Sequence, residues 1–258
     1  MSTPPDERQP QTATKDTFAE TLLPLYHGPQ VTIRLGSDGP TYMLSKALLC
    51  KKSTYFSKMF EGNCAEARSS FVTLQDDAIT VKLTHDPFNV KPIFDFFIEW
   101  LYLGKLTLLE QGRSDRITCL LKLDLFVDRS LTCELTDLVA ESIKQIIMED
   151  PEFKKKREAP GLTKYCTLNV KCITTKHLRM AGLLRTGNAV RRVMVIALVE
   201  PYLRAQSLMS MLAVTIVQYP NLAFDLLTEV KKIMLAAVPR AGMIWITDPL
   251  TQIEAPLK

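Results

Sequence analysis

Six cysteines and three histidines are the residues best suited to metal or nucleophilic chemistry in this chain of 258 residues. They are Cys50, Cys64, Cys119, Cys133, Cys166 and Cys172, with His27, His85 and His177. No two cysteines form a Cys-x-x-Cys pair, and the histidines lie far apart in sequence. A zinc centre needs four clustered ligands, so no metal site is expected. Asp76 and Asp77 are adjacent carboxylates at the end of a strand-like run. General acid–base work needs two carboxyls in one cleft with separated pKa values. Neighbours at a strand end face different ways, so turn chemistry is the expected role. There is no glycine-rich phosphate loop and no nucleophile–base set. The chain therefore reads as a non-enzyme without a cofactor.

The second candidate chemistry is charge. The formal net charge is only +4, from 32 basic and 28 acidic side chains. The two halves differ sharply. Residues 1–150 hold 16 basic and 21 acidic side chains, a net −5, and residues 151–258 hold 16 and 7, a net +9. Lys154-Lys155-Lys156-Arg157 is the densest basic run and fits the pattern of a short nuclear import signal. The competing reading of that run is a solvated linker. Beyond that run Tyr165 is the only aromatic residue before Tyr202, and no zinc finger or other DNA-binding module follows. Nucleic-acid binding is not expected.

Residues 1–17 are polar and proline-rich, with no apolar core of a secretory signal. An intracellular location, cytoplasm or nucleus, is expected, with the six thiols reduced and buried. The apolar runs at 193–199 and 208–217 are each far short of the roughly 20 residues that a spanning helix needs. They read as buried helices of a globular protein, with no membrane role.

The elements that must position any site follow from periodicity. Residues 31–44 read as a hairpin, with alternating apolar residues from Val31 to Leu35 and turn chemistry at Gly36-Ser37-Asp38-Gly39. Ser45 and Ser53 are placed to cap two short helices, the second over 54–61 with Gly62 just beyond it. Phe56, Met59 and Phe60 share one face of that helix and belong to the core. Residues 71–74 form a further strand. Residues 92–103 form an aromatic helix buried on most sides, with Ile93, Phe97, Trp100 and Leu101 as its stripe. Two more helices follow, capped at Ser114 and Thr132 and ending at Pro151. Strand signals then nearly vanish. Helices are expected over 177–184, 189–199, 201–217 and 222–237, with Pro201 opening the third and Asn221 capping the last. In the last, Ala223, Leu226, Leu227, Val230, Ile233 and Met234 are read as one apolar register. The expected organisation is a disordered tail over 1–17, an α+β domain over 18–150, and a basic linker over 151–161. An all-α region over 162–238 and a tail over 239–258 follow.

Several blocks in the first half resemble the BTB/POZ family. Ser45-Lys46-Ala47-Leu48-Leu49-Cys50 is similar to its His-Lys-x-Leu-Leu segment, with Ser45 in place of the histidine. Ser53 through Phe60 is similar to its Ser-x-x-Phe-x-x-Met/Ala-Phe helix. Gly62-Asn63-Cys64-Ala65-Glu66-Ala67 is similar to the Gly-x-Phe-x-Glu-Ala segment of fungal-type members. Trp100-Leu101-Tyr102-Leu103-Gly104 resembles Trp-Leu-Tyr-Thr-Gly, and Leu125-Phe126-Val127-Asp128-Arg129 resembles Leu-x-x-Ala-Asp-Lys. The resemblance covers about residues 22–148. Pro29-Gln30 stands where members carry an aspartate before the first strand.

The resemblance implies a protein-interaction module, and in one subset of the family an adaptor that joins a substrate to a cullin-type ubiquitin ligase. The family's cullin-facing surface maps onto Tyr55, Lys58 and Glu61 of the second short helix and onto Cys64 and Glu66 just after it. Cys64 is a smaller anchor than the usual aromatic or methionine, which weakens a groove contact that scales with apolar area. The alternative is a scaffold or nuclear regulatory protein that uses the same surface for other partners. Homodimerisation is a family property as well. Here only residues 18–26 stand where dimeric members have an exchanged N-terminal helix and strand.

Overall fold

The computed structural model describes residues 23–62, 65–74, 90–108, 112–130, 133–149, 172–204, 217–240 and 242–257. The elements begin with α1 (Leu23–His27), β1 (Gln30–Leu35), β2 (Thr41–Ser45), α2 (Lys46–Lys52), α3 (Thr54–Glu61), α4 (Ala65–Ser69) and β3 (Phe71–Leu74). They continue with α5 (Val90–Leu103), α6 (Arg113–Ser130) and α7 (Cys133–Met148).

The hairpin forms where alternation predicts it. Val31, Ile33 and Leu35 point inward from β1, and β2 pairs antiparallel with Val31 opposite Leu44 and Ile33 opposite Tyr42. The connecting turn admits no side chain at Gly39, where a Cβ would lie 1.5 Å from the Leu35 carbonyl oxygen. Strand β3 pairs parallel to β1 on its other side, giving the order β2-β1-β3. A parallel neighbour requires a crossover, and α2, α3 and α4 supply it.

The two caps read from sequence are present. The Ser45 hydroxyl oxygen accepts from the Leu48 N–H at 3.2 Å, and that of Ser53 accepts from the Phe56 N–H at 3.3 Å. Each satisfies a donor that the first helical turn leaves open. Gly62 follows α3 in extended backbone, with φ −80°. The left-handed conformation that favours glycine occurs instead at Gly104, φ 66°, where α5 stops.

Helix α5 is the hub of the core. Phe97 lies with ring centroids 6.1 Å from Phe56, 5.7 Å from Phe94, 5.6 Å from Phe126 and 6.0 Å from Trp100. Aromatic rings at these separations add attraction beyond area burial. The Tyr42 hydroxyl donates to Asp95 Oδ1 at 2.9 Å and ties β2 to α5. Burial, then the Asp95 carboxylate, push its pKa up to about 12. Helices α6 and α7 pack as a pair through Ile117, Leu121, Leu135, Val139 and Ile143, all buried.

The remainder is mostly helical: α8 (Thr175–Leu183), α9 (Ala189–Arg204) and α10 (Pro220–Ala236). Their buried residues, including Leu178, Met194, Leu198, Leu226 and Ile233, belong to the same continuous core as the first half. Helix α9 packs against α7 and α10, and α8 against α6.

Several expectations differ here. Pro201 does not open a helix but lies inside α9. It costs the helix one N–H bond to the Ala197 carbonyl, and burial of Leu198, Val199 and Glu200 around it carries the helix through. Helix α10 begins at Pro220 after Tyr219, with no side-chain cap, so Asn221 is not the N-cap. Leu227 and Met234 are exposed, on the face opposite Leu222, Leu226 and Ile233. Finally, residues expected to form a tail carry a sheet of β4 (Val238–Arg240), β5 (Met243–Thr247) and β6 (Glu254–Leu257), in the order β4-β5-β6. Pro239 and Pro256 sit on its two edge strands, where a missing N–H is tolerated, and central β5 has none. Cys172 is buried, and Cys50 and Cys119 are half-buried rather than buried. The expected linker, Asp76 and Asp77 lie outside the described residues.

Candidate partner-binding surface

Helix α3 is held by its inner face. Phe56 and Phe60 are buried and stacked at 6.1 Å, and Phe56 leads on to Phe97. This anchoring fixes the outward arc of the helix. Tyr55, Lys58 and Glu61 all lie on that arc and are exposed. The Tyr55 ring packs edge-on against Phe56 at 5.2 Å, so its phenol projects from a rigid base. Glu61 accepts from the Ser57 hydroxyl at 2.5 Å, one turn back.

Glu66 lies half-buried on α4. Partial burial, then the Glu66 carboxylate, push the Tyr55 phenol up. Burial, then Glu61, likewise raise the Cys50 thiol, while Lys46 lowers it. Tyr55, Lys58 and Glu61 are exposed on α3, and Glu66 stands half-buried on α4, which packs against α3. This α3–α4 edge carries an aromatic ring, one cation and two carboxylates. Cys64 lies outside the described residues, as do Lys154, Lys155, Lys156 and Arg157.

Other surface features escaped the sequence reading. Met43 on edge strand β2 is 67% exposed. A cleft of about 290 Å3 between α5 and α6 is lined by Pro92, Phe96, Leu108 and Cys119, with Asp95 and Glu99 among its polar groups. A second cleft, of about 350 Å3, lies between α9 and α10 and includes Arg191, Arg192, Asp225 and Lys232. Neither could be read from periodicity, because each needs two helices brought together.

One pair has the outward form of a catalytic dyad. His177 Nε2 lies 2.7 Å from the Thr118 hydroxyl. Both ring nitrogens are engaged: Nδ1 accepts from the Thr174 N–H at 3.1 Å. Nε2–H therefore donates to Thr118, whose hydroxyl donates onward to the Ser114 carbonyl at 3.0 Å. Burial lowers the His177 pKa to about 4 and keeps the ring neutral. The ring is fully buried and no substrate reaches it. Among the described residues no group of three or more His, Cys, Asp or Glu side chains could hold a metal ion. No helix among them is long and apolar enough to cross a membrane.

The sheet β2-β1-β3 with its helical crossover, followed by the α5–α7 helices, coincides with a family match. The model of the BTB/POZ domain covers residues 27–142. This part of the chain is a BTB/POZ domain. A BTB/POZ domain is a protein–protein interaction module, so the α3–α4 edge belongs to a fold used for binding partners. The match runs from the end of α1 into α7 and leaves α8–α10 and the second sheet beyond it. A comparison with curated proteins gave no match.

Proposed function

We propose that this chain is a non-enzymatic substrate adaptor whose BTB/POZ domain docks on a cullin scaffold. The observation that carries the reading is the α3–α4 edge. Tyr55, Lys58 and Glu61 are exposed on α3 and Glu66 stands on the adjoining α4, while Phe56 and Phe60 are buried in the core. These positions match the cullin-facing positions of the adaptor subset, including the glutamate of the fungal-type segment. Helices α8–α10 would extend from the domain and present the substrate. A pull-down with a cullin N-terminal region tests the reading. The wild-type chain should bind at low salt, and Glu66→Lys should lose most of that binding. Absence of wild-type binding would sink it.

A second reading is a scaffold or nuclear regulator. The charge split and the Lys154–Arg157 run favour it. Replacing those four residues by alanine should move a tagged protein out of the nucleus. An unchanged distribution removes the import role.

A further inference from the structure

The cleft of about 350 Å3 between α9 and α10 is at the small end of the range for ligand pockets. Its cationic end is the first turn of α9. There Gly187 turns with φ 85°, and the Asn188 side-chain oxygen accepts from the Arg191 N–H at 3.1 Å. A helix N-terminus carries partial positive charge and favours anions. Arg191 points to a ligand independently. Its side chain is 3% exposed, yet its Nη2 has no hydrogen-bond partner. Nε and Nη2 share one edge of the planar guanidinium. On that edge Nε meets Asp225 Oδ2 at 2.6 Å, and Asp225 lines the cleft, so Nη2 is turned the same way. A buried donor without an acceptor is costly, and an acceptor held in the cleft removes that cost.

We propose that this cleft binds a carboxylic acid with an apolar body, the carboxylate held by Arg191 and Arg192 and the body lying against Val195 and Phe224. The charges select a monoanion. Arg191 is matched by Asp225, and Lys232 donates to Glu229 at 2.7 Å. Arg192 is exposed at the same cleft and has no ion-pair partner among the described residues. One cation is therefore left over, and one carboxylate balances it. A phosphate dianion would add a charge that Asp225 and Glu229 repel. A planar carboxylate also suits guanidinium donors. The apolar body follows from the walls. Val195 lies one turn further along α9, and Phe224 stands 71% exposed on α10, so an apolar body covers a ring that is otherwise in water. The bound acid bridges α9 and α10 and stabilises the helical remainder by linkage. The site lies outside residues 27–142, so it stands or falls separately from the cullin reading.

Isothermal titration calorimetry on the full chain tests this with phenylacetate as the probe. The wild type should bind it with a Kd of about 1 mM or tighter. Phenylacetamide, with the same body and no charge, and inorganic phosphate, with charge and no body, should each bind at least about ten-fold more weakly. Arg192→Gln should weaken phenylacetate about ten-fold, with an unchanged thermal transition because the side chain is exposed. Glu229→Gln leaves Lys232 unmatched as well and should tighten binding about three-fold, a gain that a misfolded chain cannot produce. A hexapeptide ending in a free phenylalanine carboxylate distinguishes the source. If it binds more tightly than phenylacetate, the site takes chain ends, and if more weakly, free acids; either result supports the carboxylate site. No phenylacetate binding by the wild type at about 10 mM overturns the proposal. So do equal binding of the amide, tighter binding of phosphate, and an unchanged constant for Arg192→Gln or for Glu229→Gln.

Discussion

The His177 imidazole on α8 and the Thr118 hydroxyl on α6 meet at 2.7 Å, and this contact joins the helical remainder to the BTB/POZ domain. The ring is held neutral and both its nitrogens are bonded. The unfolded chain binds a proton at the ordinary histidine pKa of 6.5, and the folded chain only near 4. Between those values the unfolded state holds more protons, so stability must rise with pH. His177→Gln should remove that slope between about pH 4 and 6.5 and cost roughly 1–3 kcal/mol at neutral pH through unsatisfied buried partners. Urea melts at several pH values check it, and an unchanged slope would count against the assignment.

Asp124 should act in the opposite sense. It is fully buried on α6, and its Oδ2 accepts from Asn188 Nδ2 at 2.8 Å. Burial pushes its pKa up to about 7, against the lowering effect of Asn188 and Thr136, and the nearby Asp128 charge adds to the rise. The folded chain therefore holds a proton that the unfolded chain has lost between about pH 3.8 and 7, and this group makes stability fall as pH rises through that window. Asp124→Asn keeps an acceptor for Asn188 and removes the ionisation. The expected result is a chain more stable than wild type near pH 8, with a steeper rise between pH 4 and 6.5 because the histidine contribution is no longer opposed. Thermal melts at pH 5 and pH 8 separate the two.

Arg191 holds α9 to α10. Its Nε donates to Asp225 at 2.6 Å and its Nη1 to the Leu184 carbonyl at 2.8 Å, and the side chain is only 3% exposed. Arg191→Met should cost about 3 kcal/mol, because it strands a carboxylate and a buried carbonyl. Adding Asp225→Leu to that chain should return part of the loss, as expected for a coupled pair. Denaturant titration of the four chains gives the coupling, and strict additivity would argue against it.

Lys58→Ala and Glu66→Lys should leave stability within about 0.5 kcal/mol of wild type, since neither contributes to the core. Phe60→Ala, one residue from the same edge but fully buried, should cost about 3–5 kcal/mol. Thermal melts run beside the cullin pull-down therefore separate a lost contact from a lost fold. A large drop in melting temperature for Glu66→Lys would show that the edge is structural.

Much of the BTB/POZ part was legible because its signals are local. The Val31–Leu35 alternation, the Ser45 and Ser53 caps and the aromatic spacing of α5 depend on residues within a turn or two of each other. The outward placing of Tyr55, Lys58 and Glu61 followed from the buried Phe56 and Phe60 in the same way. The Met243–Thr247 run had the composition of a strand, but prolines on both sides obscured it. Only pairing explains them, because Pro239 and Pro256 occupy edges.

By itself, then, the sequence determined the strands of the first sheet, most of the helices and which face of each short helix of the first half is apolar. It also divided the chain into an acidic first half and a basic second half. Tertiary structure decided what periodicity leaves open. Helix α10 has apolar residues nearly all round, and only the position of α9 selects Leu226 and Ile233 for burial and leaves Phe224 and Leu235 in water. The same holds for His177, Asp124 and Arg191. A buried polar group is tolerated only where partners from other helices meet it, and those partners lie from 34 to 64 residues away along the chain.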